Sequence, residues 1–167
     1  YMKKWVEENK KPDGSDYDIY RDGLKIYTTI DSRMQAHAET AVTAHMANLQ
    51  EEFFRQSKDN KNAPFVNISS VETQRILNQA MKSSNRWAVM KAMDKSEEEI
   101  IKSFSEKTKM TVFSWKGEKD TLMTPLDSIR YYKHFLQSGL MAMEPQTGNV
   151  KAWVGGINYK YFQYDHV

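Results

Sequence analysis

The stretch from Gly139 to Gly156, GLMAMEPQTGNVKAWVGG, constrains the fold more than any other part of the chain. Two alternating apolar runs flank Pro145, Gln146, Thr147 and Gly148, which reads as a β-hairpin. Pro145 fixes φ where the turn begins, and Gly148 can supply the positive φ that closes it. Val150, Ala152 and Val154 then fall on one face of the returning strand.

The rest of the chain is placed relative to that hairpin. Tyr1 to Glu8 carries Met2, Trp5 and Val6 at helical spacing and ends in the turn-forming run Lys10 to Ser15. Leu24 to Ile30 alternates and is rich in Ile, Tyr and Thr, so it is expected to be the first core strand. Asp31 or Ser32 caps a long helix over 32–56, with Ser32 and Gln35 at capping-box spacing. Met34, Ala38, Ala41, Val42, His45, Leu49 and Phe53 lie along its apolar side. A polar loop, Ser57 to Asn62, ends it.

Ser69 or Ser70 caps the first of three short helices, roughly Val71 to Lys82, Asn85 to Met93 and Glu97 to Phe104. Ser96 caps the last, with Glu99 at the reciprocal position. Met110 to Trp115 is a strand by alternation, turned back by Lys116, Gly117 and Glu118 toward Leu122 and Met123. Thr124, Pro125 and Asp127 make a helix start. That helix continues through Leu126, Ile129, Tyr132 and Leu136 to a stop at Gly139. The class is α+β: a small antiparallel sheet (strand 24–30 plus hairpin 140–155), the long helix, and a mostly helical insertion carrying a minor hairpin.

Composition narrows function mainly by exclusion. The 24 basic and 22 acidic residues are interspersed, so no broad basic face for nucleic acid is evident. With no cysteine, disulfides, thiolate zinc sites and cysteine nucleophiles drop out. No run approaches the roughly 18 apolar residues of a membrane span, and the chain reads as a folded, soluble module. A start at Tyr1 and an end after an aromatic-rich segment are what an excised piece of a longer protein would show.

No serine is followed three positions later by lysine, the spacing that sets a nucleophile beside an activating amine on one helix turn. Ser83-Ser84-Asn85 fits a Ser-x-Asn pattern but reads as the end of one helix and the start of the next. Lys107-Thr108-Lys109 only approximates Lys-Thr-Gly. His37 and His45 lie eight residues apart on one helix without an accompanying metal motif, and His134 and His166 are isolated. Glu97, Glu98 and Glu99 suit the positive first turn of a helix better than paired acid–base catalysis. Asn67-Ile68-Ser69 is too short a glycosylation pattern to carry weight. Gly155 and Gly156 lack the following helix of a phosphate loop and read as a strand end where the chain bends or approaches another backbone. The aromatic tail, Tyr159, Tyr161, Phe162 and Tyr164, either lines a groove or packs only on segments outside these residues. The second reading is preferred.

Three blocks carry a family resemblance: GLKIYTTIDSRMQAHAETAV, then MTPLDSIRYYKHFLQSGLMAMEPQTGNVKAWVGG, then FQYDHV. Together they resemble class A penicillin-binding proteins, bifunctional peptidoglycan synthases. In that family a strand ending Thr-Thr-Ile-Asp opens the transpeptidase domain and runs into a long helix, matching Leu24 to Asp31. A second motif, an acidic residue followed by Pro-x-Thr-Gly and a strand ending Val-Gly-Gly, matches Glu144 to Gly156. Glu144 stands where Asp is more usual. SWKGEKDTLMTP is similar to a version found in one branch.

The resemblance implies a division into 1–22 (linker helix and loop), 23–57 with 124–167 (the N-terminal part of an incomplete transpeptidase fold) and 58–123 (an inserted helical subdomain). It implies an acylating serine in a Ser-x-x-Lys motif shortly after the segment matching Tyr164 to Val167, so no catalytic residue, cofactor or metal ligand is expected here. Asp31, Glu144, Pro145, Thr147, Gly148, Gly155 and Gly156 are expected as structural motif residues. The expected partners are the rest of the transpeptidase domain, cell-wall synthesis regulators through the insertion and, for the parent, peptidoglycan precursors. A parent anchored in the cytoplasmic membrane would hold this region on its outer side. An exposed sheet edge would also favour self-association. The alternative is a stand-alone cell-envelope interaction module without enzymatic activity.

Overall fold

Asp31 starts the longest helix of the computed structural model, which describes residues 2–60 and 62–167. Tyr1 and Lys61, which belong to the expected first helix and polar loop, lie outside the described residues. The elements are α1 (Met2–Glu8), α2 (Ser32–Ser57), α3 (Ser70–Lys82), α4 (Asn85–Ala92), α5 (Glu97–Ser103), β1 (Thr108–Val112), β2 (Lys119–Met123), α6 (Pro125–Lys133), β3 (Leu140–Met143) and β4 (Val150–Val154). The chain is α+β, with β1–β2 and β3–β4 forming separate two-stranded antiparallel sheets. Among the described residues no helix is long and apolar enough to cross a membrane.

The Asp31 carboxylate accepts from the Arg33 and Met34 amides, so Asp31 is the cap and Ser32 is already helical. The expected Ser32–Gln35 box does not form, because the Gln35 side chain is committed to Trp153 and Glu39. Met34 first and Arg33 next hold the Asp31 carboxyl below its ordinary value of 3.8. A depressed folded-state value contributes stability above the unfolded value and loses it as pH falls through the folded one. Asp31→Asn keeps a capping oxygen without the titration. The thermal midpoint of the wild type should therefore fall more steeply than that of the variant as pH drops below 3.8. Parallel curves by far-UV circular dichroism would contradict this, and the difference between the two curves removes the other carboxylates.

The inward line of α2 is Val42, Met46 and Gln50, with Ala38 packed beside it; of the expected apolar side Ala38 and Val42 face inward, whereas Met34, Ala41, His45 and Leu49 are exposed. Leu49 and Met34 are exposed at 43% and 44%. A polar Gln50 on the buried line shifts the apparent apolar side by one residue in the sequence.

Residues 24–30 do not form a strand. They meet β4 only at their end, where the Thr29 hydroxyl donates to the Val150 carbonyl (2.7 Å) and the Asp31 amide to the Lys151 carbonyl (2.9 Å). Ile26 and Tyr27 stay exposed. Alternation gives this segment strand character, but a strand also needs a ladder partner along its length, and among the described residues the outer edge of β4 bonds only to Thr29, Asp31 and Gln35.

Caps form at Ser69, Ser84 and Ser96 for α3, α4 and α5, with the Ser96–Glu99 capping box complete. Met81, Trp87, Ile100 and Phe104 make one core, on which Leu126 and Ile129 of α6 pack. Val42, Met46, Phe113, Phe135, Val154 and Ile157 make the other, with Tyr131 and Tyr132 of α6 against it. Helix α6 therefore lies between both cores. Its two tyrosines hold the strand exit, since the Tyr131 hydroxyl donates to the Phe113 carbonyl (2.6 Å) and the Phe113 amide to the Tyr132 oxygen (3.2 Å). Burial pushes the Tyr131 hydroxyl above its ordinary value.

The expected continuation of α6 to Leu136 and a stop at Gly139 fails, since α6 ends at Lys133. Gln50 is the reason. Its fully buried amide donates to the His134 carbonyl (2.9 Å) and accepts from the Leu136 amide (2.8 Å), so the chain leaves the helix with those groups satisfied by a side chain.

Candidate functional site: the hairpin and its strap

The turn of the β3–β4 hairpin is built by the motif residues themselves. The Glu144 carbonyl accepts from the Gly148 amide (2.9 Å) and its amide donates to the Asn149 carbonyl (3.0 Å), with Gly148 at φ +74°. The Glu144 carboxylate accepts from the Thr147 hydroxyl (2.6 Å) and lies 3.8 Å from Lys151. Pro145 sits in the same turn. A one-residue irregularity follows, because Ala142 pairs with Ala152 but Met143 with Val150. The Lys151 carbonyl receives the Asp31 amide, so the first and second motif blocks meet at this residue.

Gln35 closes the outer edge of β4. Its amide accepts from the Trp153 N–H (2.8 Å) and donates to the Trp153 carbonyl (2.9 Å), imitating a neighbouring strand. Trp153 thus points its peptide groups away from β3, and Met141 opposite it points its own away from β4. Those Met141 groups have no backbone partner among the described residues. Met141, Met143 and Trp153 share one face and are exposed at 46%, 52% and 40%.

Residues 155–167 fold back as a strap, whose last residues, Asp165 to Val167, cross the end of that face beside Gly139 and Gly155. One step beyond the Leu140↔Val154 pair, Gly139 and Gly155 stand opposite one another. A Cβ on Gly139 would lie 2.6 Å from the His166 carbonyl carbon, and one on Gly155 would lie 2.8 Å from Asp165 Oδ1. Both glycines are required by close approach of the strap. The His166 amide donates to the Gly155 carbonyl (2.8 Å) and the Trp153 indole to Asp165 Oδ2 (2.9 Å), fastening it, while the Val167 amide donates to Asp165 Oδ1 (3.0 Å) within the strap itself. A Cβ on Gly156 would lie 3.6 Å from the Tyr164 carbonyl oxygen, an ordinary contact.

The aromatic tail divides. Phe162 enters the core against Phe113 (5.5 Å), Tyr132 (5.6 Å) and Phe135 (5.8 Å), and Tyr161 stacks on Tyr132 at 21° between planes. The expectation that this tail packs only on segments outside these residues therefore fails for Tyr161 and Phe162. Their apolar rings are the natural cover for Phe113. Tyr159 and Tyr164 are exposed at 79% and 75% and line a cleft of about 440 Å³ between α2 and the strap, with Glu39, Thr43 and Trp153. Lys160 pairs with Glu118, and this hydrogen bond chiefly holds the Glu118 carboxyl below its ordinary value.

The remaining reactive-looking residues have structural partners or none. The Ser84 hydroxyl accepts from the Trp87 amide and donates to the Met81 carbonyl. Glu99 closes its capping box, and Glu97 lies 3.5 Å from Lys91. The Ser69 hydroxyl caps α3. His37 and His45 are exposed, and among the described residues no three His, Asp or Glu gather to hold a metal ion. Sequence reasoning missed Gln35, Gln50, Asp165 and Gly139 as joints. Glutamine carries no positional signature, while the pairing of Gly139 with Gly155 follows once the hairpin register is drawn outward.

Residues 60–136, just under half of the chain, match the family model described as Penicillin-binding protein middle domain. That match supports a penicillin-binding protein region and spans α3 to α6. No curated protein and no solved structure matches the chain.

Proposed function

We propose that this chain is a non-catalytic scaffold region of a class A penicillin-binding protein, a peptidoglycan synthase that polymerises glycan strands and cross-links stem peptides through an acyl-serine. The observation that carries this reading is the middle-domain match, set between α2 and the Glu144 hairpin, the two elements whose sequence blocks resemble the family. The division into 1–22, 23–57 with 124–167, and 58–123 belongs to the same proposal, as does a parent anchored in the cytoplasmic membrane with this region outside it. Within that parent the hairpin supports a sheet and an active-site helix whose serine is not among these residues, since none is followed three positions later by lysine.

The gene that encodes the chain, read beyond Val167, is expected to encode Ser-x-x-Lys within a few tens of codons. Its absence would favour the stand-alone interaction module. The open edge of β3 also bears on partners, because its Met141 peptide groups and the Met141–Trp153 face are unpaired. In isolation the chain is expected to associate with itself through this edge, giving a concentration-dependent mass in light scattering. A monomer at every concentration would count against it.

A further inference from the structure

A cavity of about 780 Å³ lies away from the hairpin, between the end of α2, residues 62–70 and α6. Phe54 and Ile68 form apolar parts of its wall and are exposed at 40% and 41%. Lys58, Arg130 and His134 supply its basic groups. Neither Lys58 nor Arg130 makes an ion pair among the described residues.

Of the acids nearby, Glu52 and Glu72 are paired with arginines, while Asp127 keeps its charge in the wall. Asp127, the acidic residue of the lining, accepts from the Thr124 hydroxyl at 2.7 Å; Glu52 is paired with Arg55, and Glu72 with Arg75, each at 2.6 Å. Asp59 does not line the cavity. Ser70 and Thr73, in the first turns of α3, add the positive end of that helix to the wall. With Lys58 and Arg130 against Asp127, the wall keeps a net positive charge, beside aromatic and aliphatic surface. Asn60, Asn62 and Ser57 supply the amide and hydroxyl groups that a peptide backbone pairs with.

We infer that this cleft is a docking site for an extended peptide segment of a partner protein, carrying acidic side chains interleaved with apolar ones. Its carboxylates meet Lys58 and Arg130, and its apolar residues cover Phe54 and Ile68. Charge complementarity selects this occupant over a basic or purely apolar segment. The inference stands whether or not the synthase reading does.

The test is fluorescence anisotropy of the 167-residue chain with a short fluorescein-labelled peptide alternating Glu with Leu and Phe, against the same peptide with Lys for Glu. The Glu peptide is expected to saturate, more weakly as salt rises, and the Lys peptide not to bind. Lys58→Glu with Arg130→Glu should weaken the Glu peptide by about tenfold or more. Circular dichroism checks that the variant folds, and Lys58→Gln with Arg130→Gln, expected to weaken binding in the same direction, replaces it if it does not. Equal binding of both peptides, binding of neither, or unchanged affinity in the folded variant overturns the proposal.

Discussion

Replacing Gln50 with leucine is expected to destabilise the chain by about 2–4 kcal/mol, although leucine is apolar and of similar size, because it orphans two backbone groups. Gln50 is fully buried, and its amide is the partner of both the His134 carbonyl and the Leu136 amide. Each buried peptide group left without a partner costs about 1–3 kcal/mol, more than leucine recovers by better burial. The same residues carry Phe135 into the core beside Phe113 and Phe162, so the loss spreads to the aromatic cluster. Urea denaturation measures it, as a lower midpoint at nearly unchanged slope. A loss under about 1 kcal/mol would mean that the end of α6 is held by packing and not by the Gln50 amide.

Gly139→Ala should have the next largest effect, about 1–3 kcal/mol, the usual range for inserting volume where none is free. Its Cβ would meet the His166 carbonyl carbon at 2.6 Å, the carbonyl oxygen at 2.7 Å and the Val167 nitrogen at 2.8 Å, all backbone atoms that no rotamer change can move. The strap has to lift, so amide exchange over residues 155–167 should quicken with the loss of stability. Gly155→Ala is the informative comparison. Its obstacle is the Asp165 carboxylate at 2.8 Å, a side chain held by the Trp153 indole. Combined with Asp165→Ala, Gly155→Ala should therefore cost less than the two changes summed, because removing the carboxylate removes the clash. Strict additivity would contradict the arrangement of the strap.

These joints show what the sequence carries and what it leaves unsaid. The hairpin was legible because Pro145, Thr147 and Gly148 mark a turn between alternating runs, and the caps at Ser69, Ser96 and Thr124 because they are local chemistry within three residues. Failures came where a distant group decided the outcome. Leu24 to Ile30 has strand composition, but β4 spends its outer edge on the Gln35 side chain and on residues 29–31. The end of α6 depends on a glutamine 84 positions earlier, which no periodicity of α6 contains. Similarly, Tyr161 and Phe162 resemble a sticky tail until Phe113 is placed beneath them. Of the candidate site, the turn residues were readable from sequence, whereas the strap needed the fold.

The proposed scaffold role rests on a nucleophile lying outside these 167 residues, and fluorescent penicillin labelling probes that directly. The chain and a longer product of the same gene, extended past Val167 through its next Ser-x-x-Lys, are incubated with the probe and separated under denaturing conditions. The account predicts covalent label on the longer product and none on the chain. Label on the 167-residue chain, or an unlabelled longer product that is folded, would contradict it.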